Sequence, residues 1–289
     1  MPDQEKPRII NFLRAIYEAW ISERPGQQAA ALAYFGLFAI APIIFVAFTV
    51  ANLFLNQAVE FDQFFDRMAY AIGPEAADII QNAVQALGDK TFGGSTVVTI
   101  IGFLSLLLAA SGMFFQIQFA LNRVFQAPLA DRDQTKKFVL QRLLSFLMVL
   151  GVGLLVILAA IVNFVLTWFG SIIGEVAVLG KASVLLEWAG LFGLFVLAFG
   201  LLYKVLPNVE IAWRHVWPGA AVAALLEILA GMLLGVYFSL GSVGSAFEAA
   251  GTIAVILIAF NIFAQIFLFG ALFSREYARW YGSGRYSEN

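Results

Sequence analysis

The residue whose type and position most clearly invite chemistry is Glu227, in the stretch AVAALLEILAGMLL (221–234). It stands about eleven residues from either end of an apolar run over 216–238, roughly 16 Å along a helix from both ends. An ionised carboxylate at such a depth in lipid is costly and marks a functional position by default. No Lys or Arg occurs between His215 and Arg275, so its own helix offers no counter-charge. Glu227 must be protonated, face water, or accept hydrogen bonds from other helices. The first chemistry this suggests is a proton- or cation-linked site, or a contact for the polar group of a substrate. The structural alternative is a protonated glutamate that ties helices together.

Polar residues that could complete such a site are Tyr34, Asn52, Gln116, Gln118, Asn122, Asn163, Asn261 and Gln265. Gln118 and Asn122 are four apart and share a helix face, as do Asn261 and Gln265. Either pair would also serve as interhelical glue. Pro42 sits within the apolar run that opens near Gln27 and continues to Leu55. A proline there removes one amide donor and crowds the carbonyl of Phe38, which predicts a bend that is either packed or functional. Gly170-x-x-x-Gly174 and Gly231-x-x-x-Gly235 would allow close helix approach.

Other chemistry is poorly served. There is no cysteine, so thiolate nucleophiles, disulfides and Cys-based metal sites are absent. The single histidine, His215, lies beside Trp213, Arg214 and Trp217, which suits an interfacial belt better than catalysis. Asp131 and Asp133 are too few to build a metal-dependent nuclease. No P-loop, GxGxxG or HExxH occurs. The expectation is a chain that is not an enzyme, with no cofactor and no nucleic-acid partner.

The elements that must position these groups follow from composition. The chain is 61% hydrophobic and 12% charged, with 29 Phe among 289 residues. Soluble domains hold about a quarter charged residues, so this is an all-α integral membrane protein. Apolar spans are predicted at 29–55, 95–120, 143–170, 184–203, 216–238 and 250–273, six transmembrane helices in one bundle over 29–273. Residues 1–28 form a cytoplasmic segment with an amphipathic helix, its apolar side Ile9, Leu13, Ile16 and Trp20, broken at Pro25-Gly26. Residues 56–94 read as two short amphipathic helices, the second starting at Pro74, in a small acidic cap on the far side. Residues 274–289 are a tail, and the long first apolar segment reads as a retained span instead of a cleaved leader.

Charge orients the bundle. Lys6, Arg8, Arg14, Arg24, then Arg123, Arg132, Lys136, Lys137, Arg142, then Lys204, Arg214, then Arg275, Arg279 and Arg285 fall on one side. Only Arg67, Lys90 and Lys181 fall on the other. By the positive-inside rule both termini are cytoplasmic. The same rule explains the Arg123–Arg142 cluster without any nucleic acid.

Three segments carry a family resemblance: AAALAYFGLFAIAP (Ala29–Pro42), FALNRVF (Phe119–Phe125) and LLYKVLPNVEIAWRHVWPGA (Leu201–Ala220). Together they resemble the YihY/BrkB family of bacterial inner-membrane proteins over nearly the whole chain. The resemblance implies a multi-pass helical protein of the bacterial cytoplasmic membrane with both termini inside. Members have carried a virulence-factor name and a ribonuclease label, and transport-like roles have been proposed. The family often ends its last span with Gly-Ala-Glu; here Leu272 follows Gly270-Ala271, and Glu276 lies one turn further on.

The reading that results is transport or export of a lipid-like or amphipathic molecule, with membrane lipids as partners. Proton-coupled cation exchange at Glu227 is the alternative within transport. A non-transporting envelope factor acting through protein partners is the alternative outside it. The substrate, the energy source and whether the chain forms a homo-oligomer are left open by sequence.

Overall fold

The computed structural model describes residues 8–55, 65–66, 69, 74–92, 112–127, 179–209, 211–239 and 248–281, which form helices joined by turns, with no strand among them. The expected third span (143–170), most of the second, Asn163 and Gly170-x-x-x-Gly174 lie outside these residues, as do the side chain of Asn52 and most of the first cap helix.

Helix α1 (Arg8–Glu23) and helix α2 (Pro25–Leu55) are separated by a single residue, Arg24, at φ 46°. The left-handed conformation there breaks the first helix, and Pro25 starts the second, where its missing N–H would have been unpaired anyway. Helix α1 buries Phe12 and Ile16 with Trp20 beside them, while Leu13 is exposed, so its packed side is rotated from the stripe expected. Phe12 meets Phe273, Trp280 and Tyr281 edge-on, which seats the N-terminal helix against the C-terminal end of the last one.

Helix α2 begins earlier than its apolar run and continues through Pro42 to Leu55. Because Pro42 has no N–H, the Phe38 carbonyl lacks a donor from its own helix. The small residues of the first resemblance segment have a packing role: Ala29 and Ala33 are buried. A Cβ placed on Gly36 would come within 3.3 Å of the Phe260 ring, so that glycine admits an aromatic from the last helix. Beyond it, Ala41 and Phe45 form a separate cluster with Phe65, Ile80 and Val84. The last two belong to helix α3 (Pro74–Phe92), which starts at the expected proline.

The remaining described helices are α4 (residues 112–124), α5 (Leu179–Val205), α6 (Trp213–Ser239) and α7 (Glu248–Tyr281). Among the described residues, three stretches are long and apolar enough to cross a membrane: Trp188–Val205, Trp213–Tyr237 and Ile253–Tyr281. They coincide with the expected fourth, fifth and sixth spans. Two boundaries differ from expectation. Helix α6 starts three residues before the expected 216, so that Pro218 lies inside it, in its second turn. Helix α7 runs on past residue 273 to Tyr281. At 34 residues it measures about 51 Å, well over the ~30 Å of a hydrocarbon core. Its charged last turns continue as helix because their charges are paired, as described below.

Helix α7 is the hub, packing on α6, α2 and α1, and α5 packs on α6. The α6–α7 crossing is the tightest. A Cβ on Gly270 would lie 2.6 Å from Ala223 Cβ and from Tyr203 Oη, and 2.8 Å from the Gly219 carbonyl. One on Gly219 would collide with Ser274 Oγ and the Gly270 carbonyl. Backbones this close need glycine on both sides, and the Ser274 hydroxyl donates to the Val216 carbonyl at 3.2 Å across the same contact.

Candidate functional site

One face of α5, spaced at Trp188, Leu191, Phe195, Phe199 and Leu202, borders a cavity of about 1020 Å³. Opposite stand Glu227, Gly231 and Gly235 of α6, one turn apart, and Phe260, Phe263 and Phe267 of α7. Leu32 of α2 and Ile117 of α4 contribute to the wall. The spacing of three and four residues turns one stripe of each helix toward the same space. Nothing lies within 4 Å of a Cβ added to Gly231 or Gly235. This GxxxG therefore leaves open volume, where close helix approach was the expectation; the close approach is made by Gly219 and Gly270 instead.

Glu227 is 8% exposed and is the sole ionisable residue among the described residues that line the cavity. Among the described residues no hydrogen bond or ion pair reaches its carboxyl. Tyr203, one helix away, donates its hydroxyl to the Phe267 carbonyl at 2.6 Å, so its proton is directed to backbone.

The other polar positions singled out from sequence go elsewhere. Gln118 is buried and its Nε2 donates to the Leu206 carbonyl at 2.8 Å. Asn122 Oδ1 accepts from the Asn208 amide at 2.7 Å. One helix face thus holds the Leu206-Pro207-Asn208 turn between α5 and α6, and Lys204 Nζ closes it by donating to the Ile211 carbonyl at 2.6 Å. Asn261 and Gln265 bond each other at 2.6 Å along α7 and do not line the cavity. Tyr34 is exposed, edge-on to Phe35 and Phe38. Pro42 is buried beyond the cavity, next to the Ala41–Phe45 cluster. His215 accepts from Arg214 Nε at 3.1 Å, and Trp213 and Trp217 stack beside it at 5.6 Å with both rings exposed.

A second polar constellation was not foreseen. Arg275, 2% exposed, donates through Nη1 to Glu23 Oε1 at 3.0 Å and to the Val124 carbonyl at 2.5 Å. Its Nε reaches Glu276 Oε1 at 2.9 Å. Arg279 Nη1 joins Glu276 at 3.0 Å and Nη2 joins Gln126 Oε1 at 2.7 Å. Gln126 Nε2 then returns to Glu23 at 2.6 Å, which closes a ring of five side chains. The backbone of Gln126 has φ 52°, its amide bonds to the Arg123 carbonyl, and the Ala127 amide bonds to that of Asn122. This is a Schellman end, where glycine is usual; glutamine stands there because its side chain bridges α1 to α7. Glu276 is thereby committed to arginines. Sequence offered one faint signal, the four-residue spacing of Arg275 and Arg279.

Among the described residues no group of three or more His, Cys, Asp or Glu gathers that could hold a metal ion. Residues 16–288 match the family described as virulence factor BrkB. A UPF0761 membrane protein of Stenotrophomonas maltophilia is 27% identical over 260 residues, covering 88% of this chain and 57% of that protein. One from Pseudomonas aeruginosa is 26% identical over 270 residues, covering 91% and 62%. The chain therefore spans little more than half the length of these relatives. A Bacillus subtilis protein, named ribonuclease-like protein YfkH, is 23% identical over 271 residues and is covered to 93%, with 90% of this chain. No solved structure matches.

Proposed function

Because the chain belongs to the virulence factor BrkB family, whose UPF0761 relatives are membrane proteins, we propose that it transports or exports a lipid-like or amphipathic molecule across the bacterial cytoplasmic membrane. The observation that carries this is the cavity between α5, α6 and α7, whose described lining is apolar and aromatic with one buried carboxyl, Glu227. An apolar cavity with few, placed polar groups is the usual form of a small-molecule site. In this reading the five-residue ring around Arg275 marks the cytoplasmic end, with both termini beside it, and α3 belongs to the outer cap. No catalytic role is assigned: the ribonuclease-like name belongs to the Bacillus protein, and His215 is engaged with Arg214.

The test is flux in liposomes, with an acyl-labelled fluorescent phosphatidylcholine as probe. The parent accelerates its movement between leaflets, and Glu227→Gln and Gly235→Leu slow it by tenfold or more. If both variants match the parent, the cavity is not the pathway. A parent without flux that co-purifies with a stoichiometric protein partner would favour a non-transporting envelope factor. Proton-coupled cation exchange draws on the same carboxyl; cation flux indifferent to a pH gradient would count against it.

A further inference from the structure

The cavity wall combines three features that point to one kind of ligand. Its one ionisable group is an acid, 8% exposed, without a hydrogen-bonding or ionic partner among the described residues. Aromatic rings surround the space from two helices, Phe195 and Phe199 of α5 and Phe260, Phe263 and Phe267 of α7, with Trp188 at α5's start of the stripe. Among the described residues no Lys, Arg or His lines it. A carboxylate alone in hydrocarbon is unfavourable unless a cation reaches it. Aromatic faces carry negative potential and attract cations, more strongly when water is excluded. An anionic headgroup would meet a like charge, and among the described lining residues only the Trp188 indole could donate to it.

We propose that the cavity selects amphiphiles bearing an ammonium group: the ammonium pairs with Glu227, the aromatic rings flank it, and the hydrocarbon lies along Gly231 and Gly235 where α6 leaves open volume. This rests on reading the cavity as a substrate site, and it adds the sign of the headgroup charge. The lining explains the placement of both glycines, since a larger side chain at either would enter the space without meeting any neighbour. Tyr203, a buried hydroxyl in electrostatic range of Glu227, is bonded to backbone and so leaves the carboxyl for a ligand.

The experiment is direct binding to the full chain in dodecyl maltoside, a neutral detergent without ammonium, read by scintillation proximity. The probes are tetradecylammonium, tetradecanol and tetradecyl sulfate, with protein-free micelles as background. The parent binds the amine at least tenfold more tightly than the sulfate. Glu227→Gln, nearly isosteric, binds amine and alcohol alike, and Gly231→Leu weakens all three. Equal binding of amine and sulfate by the parent overturns the proposal, as does amine binding that survives Glu227→Gln unchanged. Circular dichroism and size exclusion confirm that each variant is folded; Gly231→Leu, which clashes with nothing, provides a second route should Glu227→Gln fail. Competition by phosphatidylethanolamine assigns the ammonium to the bilayer's own lipid, and its failure to compete assigns it to a foreign amphiphile; both support the class. Charge-selective binding without flux would sink the transport reading alone, whereas flux without charge selectivity would sink this proposal alone.

Discussion

Two acidic residues of this bundle sit equally deep in protein and are treated in opposite ways. Glu276 is 4% exposed and holds two arginines; Glu227 is 8% exposed and holds none. At the Arg275 end the charges close on one another through Glu23, Glu276, Arg279 and Gln126, and they join the first helix to the last. At the cavity the carboxyl faces open space and aromatic rings. The difference separates a charge used for structure from one kept available. A paired buried charge resists removal, and an unpaired one destabilises its own fold unless something outside the chain completes it. Substitutions that invert this contrast give the clearest tests.

The largest expected effect is at Arg275. Arg275→Met removes the guanidinium that Glu23, Glu276 and the Val124 carbonyl share. Breaking a buried pair from one side costs about 3–5 kcal/mol. Thermal unfolding in detergent should drop steeply, and α1 should become accessible to protease while the spans stay protected. A variant as stable as the parent would show that the ring is incidental, and the contrast with Glu227 would lose its meaning.

Next comes the crossing that sets the distance between α6 and α7. Gly270→Ala places a Cβ against Ala223, Tyr203 and the Gly219 carbonyl, two of the three on backbone or a short side chain. Overpacking of this kind costs about 1–3 kcal/mol. The loss of thermal stability should be smaller than for Arg275→Met, and Gly231→Ala, in open volume, should show none. Equal losses at both glycines would mean that the cavity closes in the membrane.

Tyr203→Phe should be milder again. It removes the 2.6 Å hydroxyl bond to the Phe267 carbonyl, which as part of a continuous helix keeps its backbone donor, so the cost is about 0.5–1.5 kcal/mol, while the ring contacts with Phe199 and Phe267 are retained. A stability unchanged from the parent would show that the hydroxyl bond adds nothing to the backbone bond the carbonyl already accepts.

How much of this was visible in the residues alone differs between the two regions. The helical class and the positions of the last three spans follow from apolar length, and the structure places them there. Glu227 was legible for the same reason: a single acid in a long apolar run stands out without any knowledge of its neighbours. The ring around Arg275 was not. Arg275 and Arg279 read as ordinary membrane-edge charges and nothing singled out Glu23 or Gln126, because their meaning lies in contacts between residues 103, 153 and 252 positions apart. Gln118 and Asn122 fall between these cases. Their four-residue spacing announced a shared face, yet only the fold shows that the face serves the Leu206–Asn208 turn and leaves the cavity alone. Tyr34 was misleading for a simpler reason, since a polar tip on an aromatic body suits an exposed aromatic group as well as a site.

The smallest effect on stability, and the one that decides most, is expected at Glu227. If its carboxyl were glue between helices, Glu227→Leu would remove a hydrogen bond and lower stability by about 0.6 kcal/mol, the average for such bonds in membranes, and at most by about 1.7 kcal/mol. With no partner among the described residues, leucine of similar bulk should instead be neutral or stabilising, because it replaces a polar group whose burial goes uncompensated. The same substitution must abolish the preference for the ammonium amphiphile. A melting temperature that holds or rises while charge-selective binding disappears is the signature of a group retained for a ligand at some expense to the fold. A melting temperature that falls would place Glu227 beside Glu276 as a structural acid, and the distinction between the cavity and the Arg275 ring would be gone.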